Sequence, residues 1–148
     1  MTWGLQHLYR DPVFLALLPP VALTFDYSMT FRIAGSHEAV LASEASPVVR
    51  LVLANHFMVA YFLALLSLYF LASLATLRLL RGTRYYQFGV VCVFIVSTAH
   101  GLGGLSWVAR SASFSVATSL LVTFLFLLTA LWIGRRLIAE WQGPAGVS

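Results

Sequence analysis

The sequence predicts an all-α membrane protein, four transmembrane helices forming a bundle, and three observations carry that reading. Hydrophobic residues make up 60% of the chain and charged ones only 9%, with a mean hydropathy of +0.88, far too apolar for a soluble domain. Four apolar runs, at about residues 12–33, 47–80, 85–108 and 113–136, are each long enough to cross a hydrocarbon layer of roughly 30 Å. The nine basic residues are all Arg and sit at the ends of these runs, so they read as a topology signal and not as a nucleic-acid patch. At 148 residues the chain makes a single membrane domain. Its one cysteine, Cys92, lies inside an apolar run, which leaves no intramolecular disulfide or CxxC metal site and reads as a small buried residue.

The first element follows a short polar leader with His7, expected to be solvated, and with Trp3 and Tyr9, which suit a membrane interface. Asp11 before Pro12 is a helix cap followed by proline at the first helical position, so the first span begins there. The run carries Asp26 and the pair Pro19-Pro20 and has no small-x-small site after it, so a cleaved signal is not expected. The prolines remove two backbone donors and predict a kink about two turns before Asp26.

Residues 34–46 form the only sizeable polar connection, in which Ser36 caps a short helical turn; His37 is expected at its solvated surface. Ser46-Pro47 repeats the cap-then-proline device, and a second helix is expected to run unbroken from there to residue 80. After the Arg78/Arg81/Arg84 turn with Gly82, the third span ends in small residues. Gly101, Gly103 and Gly104 would let another backbone, or a flat ligand, approach closely. The fourth begins with Ser115, Thr118 and Ser119 and closes on Arg135-Arg136, before a polar tail that reads as disordered.

Arg10, Arg78, Arg81, Arg84, Arg135 and Arg136 fall on one side of the four spans; Arg32, Arg50 and Arg110 fall on the other, beside Glu38 and Glu44. The positive-inside rule therefore places both termini of a multi-pass cell-membrane protein in the cytoplasm. Tyr85, Tyr86, Trp132 and Trp141 then mark the inner interface and Trp107 the outer one.

Asp26 is the chemical centre of the sequence, because a carboxylate at membrane depth costs several kcal/mol unless paired, neutralised or wetted. At about 1.5 Å per residue, Asp26 lies roughly 20 Å from the inner end of its helix, His100 roughly 18 Å up the third and His56 roughly 8 Å below the outer end of the second. All three fall in one layer of the outer half, with Thr30 and Asn55 nearby, while the inner halves are almost purely apolar. The one-sided polarity points to a site opening outward beneath residues 34–46.

Three arrangements fit this layer. One is a structural hydrogen-bond network pairing Asp26 with His56 or His100. A second is a metal centre in which Asp26, His56, His100 and Glu44 would suit zinc or iron; in a catalytic version the metal activates water and Glu44 moves protons. A third is haem b between His56 and His100, with Arg50 or Arg110 meeting the propionates. No HExxH spacing or phosphate loop accompanies them, and HGLGG lies mid-helix.

Asp26-x-x-x-Thr30, Gly35 and Glu44-x-Ser46-Pro47 resemble the pattern Asp-x-x-x-Thr…Gly…Glu-x-Asn-Pro of a family of small prokaryotic membrane proteins, classed as a domain of unknown function. The resemblance covers about residues 13–108. It implies a four-helix membrane fold and marks Asp26, Thr30, Glu44 and Pro47 as the positions that matter, without implying an activity. Ser46 stands where the pattern has Asn, so a role needing the amide is not carried over.

The leading functional expectation is a non-enzymatic binding or complex-subunit protein. Besides the lipid bilayer, its short loops suggest a homo-oligomer or a membrane-protein partner; an intramembrane metal-dependent hydrolase or oxidoreductase is the alternative.

Overall fold

Asp11 begins the first span as its spacing predicts. In the computed structural model, which describes residues 10–44 and 46–141, its carboxylate accepts from the backbone N–H groups of Val13 at 2.9 Å and Phe14 at 3.4 Å. Helix α1 is Pro12–Ala16 and α2 is Leu18–Ala34. They meet at Leu17, whose N–H is shared between the Val13 and Phe14 carbonyls at 3.2 Å, because Pro19 and Pro20 have no N–H with which to continue the ladder. Gly35 ends α2 in the left-handed region at φ 75°, which a glycine occupies without strain.

Ser36 caps α3, His37–Ser43, by accepting from Ala39 N–H at 3.1 Å. The exposed Glu38 carboxyl is held below its usual range by its own backbone N–H in that first turn, and then by the Ser36 hydroxyl. Ser46 caps α4, Pro47–Ala54.

The unbroken helix expected over residues 47–80 is not found. After Ala54 the chain turns through Asn55 and His56 before resuming as α5, Met58–Leu80. His56 sits at φ 59°, its N–H bonds to the Leu53 carbonyl at 3.1 Å, and the Phe57 N–H reaches the Val52 carbonyl at 3.0 Å. That bond pair is a Schellman stop, with histidine in the place usually held by glycine. Histidine enters the left-handed region more readily than most side chains, which is why no glycine marks the break in the sequence.

Helices α6, Tyr86–Ala109, and α7, Ala112–Trp141, complete an all-helical chain with no strand among the described residues. Pro12–Ala34, α5, α6 and most of α7 are the four stretches long and apolar enough to cross a membrane. Trp3, His7, Tyr9 and the polar tail lie outside the described residues.

Consecutive spans are neighbours, as their short connections predict, and the largest interface joins α2 to α6, the first span to the third. Helix α7 touches α6 alone, and α5 lies against α1, α2 and α6. An apolar cluster of Leu15, Ala16, Leu77, Val90 and Val93 binds α1, α5 and α6 at the end of the bundle away from α3 and α4.

Glycines set the spacing of α2 against α6. A Cβ on Gly104 would lie 2.9 Å from the Phe25 ring and 3.0 Å from the Asp26 Cα, whereas one on Gly101 would meet nothing within 4 Å. Gly104→Ala should therefore lower stability by about 1–3 kcal/mol through overpacking, while Gly101→Ala leaves it unchanged or raises it. Thermal melts of the two variants in detergent check this; equal melting temperatures would show that the interface is not close-packed at Gly104. At the helix break, His56→Gly should be tolerated and His56→Val should cost about 1–2 kcal/mol, because a β-branched residue resists the left-handed region. The same melts read that difference.

Candidate functional site

Asp26 lies midway along α2 and His100 on the face of α6 that also carries Gly103 and Gly104, three and four residues on. With no Cβ at those positions, α2 comes near enough for a direct side-chain bond. His100 Nδ1 is 2.9 Å from Asp26 Oδ2. On the other edge of the ring, His100 Nε2 is 3.2 Å from the Tyr69 hydroxyl of α5, and the two rings meet edge to face at 5.3 Å.

An ionised carboxylate only accepts, so opposite it the Nδ1–H donates to Asp26, and Nε2 is left to accept from the Tyr69 O–H. The carboxylate–imidazole–phenol row joins α2, α6 and α5. It is not sealed: the side chains of Asp26 and His100 remain 19% and 22% exposed.

The expected pairing of Asp26 with His100 is present, and Thr30 stands on the same face. The Thr30 hydroxyl, however, donates to the Asp26 backbone carbonyl at 2.9 Å and not to the carboxylate.

His56 is not part of the layer. The Schellman turn puts it before the start of α5, and Tyr69, which marks the depth of His100, lies eleven residues further along that helix, roughly 16 Å. The exposed His56 ring instead stacks on His37 at 5.5 Å. His37 is also more engaged than a solvated surface residue, since its Nε2–H donates to the Leu53 carbonyl at 3.1 Å and ties α3 to the end of α4.

The metal centre of Asp26, His56, His100 and Glu44 is accordingly not assembled, and no group of three or more His, Cys, Asp or Glu side chains suited to a metal occurs among the described residues. Haem between His56 and His100 fails for the same reason, since the two imidazoles stand at different depths. Tyr69 is the member that sequence reading missed. Its signal was available: it lies on the second span at the depth of Asp26 and His100, and a buried tyrosine hydroxyl needs a partner.

A cavity of about 270 Å³ opens on this pair. Asp26, His100 and Gly103 line its deep end, Tyr27, Phe31 and Trp107 its walls, and Val40, Val49 and Leu53 of α3 and α4 its roof. Glu44, the residue after α3, borders this cavity and also a larger one of about 710 Å³ under α3, which reaches Arg110, Ser111 and Ser115. Glu44 Oε1 accepts from the Ser46 N–H at 2.7 Å, while Ser46 Oγ accepts from Val49 N–H. Ser46 therefore acts as a helix cap, a role its hydroxyl suits.

The α7 hydroxyls expected near the layer line a third cavity, about 360 Å³, between α6 and α7. Ser115 and Thr118 there bond to carbonyls of their own helix or its cap. No protein-family model, curated protein or solved structure matches the chain.

If the pair supports the fold, Asp26→Ala and His100→Ala should each lower stability by about 1–3 kcal/mol, because each strands a partly buried partner, and the double variant should cost less than their sum. Tyr69→Phe should cost about 0.5–1.5 kcal/mol. Denaturation in detergent measures all four; strictly additive single effects would mean that the bond does not hold α2 to α6.

Proposed function

We propose that the chain is a multi-pass cell-membrane protein with both termini in the cytoplasm, acting as a binding protein or complex subunit. Its working part is a site open to the outer face. The observation that carries this reading is the cavity that runs from Glu44, beneath α3, down to the Asp26–His100 pair. Polar groups concentrate at that end, and the opposite end is closed by the apolar cluster around Leu77 and Val90. A binding pocket entered from one side accounts for this asymmetry better than a continuous polar path, because the apolar half offers no partner to a polar solute.

Orientation rests on the arginines: Arg78, Arg81 and Arg84 are exposed around the Gly82 turn, at the end opposite α3 and α4. The resemblance to the family of unknown function belongs to the same proposal, since Asp26, Thr30 and Glu44 all border the cavity. The wide lipid-facing surface of α7, which packs on α6 alone, suits an oligomeric or partnered state.

Reporter fusions at Gly82 and at the C-terminus should both read cytoplasmic, and one within α3 external. In a Cys92→Ser background, Glu44→Cys should be labelled in intact cells by a membrane-impermeant maleimide. A cytoplasmic signal from α3, or a Glu44→Cys that reacts only after the membrane is opened, would overturn the outward site.

A further inference from the structure

The cavity at the Asp26–His100 pair has a definite charge character. It is bordered by two carboxylates, Asp26 and Glu44, and by no Arg side chain; Arg110 belongs to the outer cavity only. Each carboxylate spends one oxygen within the protein. Asp26 Oδ2 faces His100, and Glu44 Oε1 holds the Ser46 N–H. The Asp26 carboxylate packs on the α6 backbone at Gly103, where a Cβ would come within 3.1 Å of Oδ1, and beside that contact it borders the cavity. Two carboxylates face one imidazole among its lining groups, so the pocket leans acidic.

An anion is repelled from such a pocket. A bare metal ion lacks ligands, since no cluster of three donors forms among the described residues, and a volume of about 270 Å³ far exceeds one ion. What fits is a cation with an organic body. Tyr27, Phe31 and Trp107 line it, aromatic residues that suit both an apolar body and a positive group, while the carboxylates supply the counter-charge.

We infer that this cavity binds a small organic cation, a protonated amine or an alkylammonium, with its charged end toward Asp26 and Glu44 and its apolar body against Trp107, Tyr27 and Phe31. The inference rests on the outward-site reading and names the ligand class of that same site.

The test uses the full chain in a nonionic detergent at constant ionic strength and compares tert-butylammonium with its neutral isostere tert-butanol, followed by calorimetry and tryptophan fluorescence. tert-Butylammonium should bind saturably, at least tenfold more tightly than tert-butanol. Glu44→Gln and Trp107→Leu should each weaken it at least fivefold, and Ser67→Ala, on the far part of α5, should leave it unchanged. Asp26→Asn is read only alongside these, because loss of the His100 bond alters the fold itself. Equal binding of charged and neutral probes, indifference to Glu44→Gln and Trp107→Leu, or displacement by sodium at the same concentration would each overturn the proposal. Glu44→Cys labelled from outside but no cation bound defeats the ligand class alone; no outside labelling defeats the outward site as well.

Discussion

The bond between Asp26 and His100 governs how the first and third spans meet. A carboxylate at membrane depth is tolerable only with a partner, and the partner here is on a helix two spans away in the chain. To bring the two side chains within 2.9 Å, α2 and α6 must approach until Gly103 and Gly104 have almost no room for a Cβ. The polar pair and the glycines are one device. Small residues permit the approach, the hydrogen bond fixes its register, and Tyr69 then ties α5 to the same ring.

From that contact the remaining arrangement follows. Helix α6 is held between α2 on one side and α7 on the other, while α5 leans on α1, α2 and α6. At the far end of the bundle an apolar cluster packs the spans together, and along the helices hydroxyls such as Ser97 and Thr129 turn back to carbonyls of their own helices at 2.7 and 2.8 Å. Near α3 the packing opens instead. The Schellman stop at His56 ends α4 early, and the short helices α3 and α4 become a roof over the space left between the spans.

That roof gives the site its chemistry. Glu44 reaches the cavity because α3 stops at Ser43 and the chain turns toward Pro47, with the Glu44 carboxylate itself bonding the Ser46 N–H of the turn. The same carboxylate thus both braces the turn and borders the cavity. Asp26 likewise bonds His100 and borders the cavity, which is how a largely apolar protein brings two carboxyl groups to one small space without leaving either unsupported.

Local rules acting over a few residues made much of this legible in advance. Asp11-Pro12, Ser36 and Ser46-Pro47 announce helix starts because a side-chain oxygen satisfies free N–H groups wherever the chain then goes, and apolar run length alone marks the four spans. The sequence by itself therefore determined the helical class, the spans, the singular cost of Asp26 and the need for a deep partner such as His100. Only the tertiary structure decided which groups meet it. Whether His56 stays in register depends on a left-handed turn that no glycine signals, and whether Tyr69 faces His100 depends on how α5 rotates against α6, a matter of packing between helices that one-dimensional spacing does not encode.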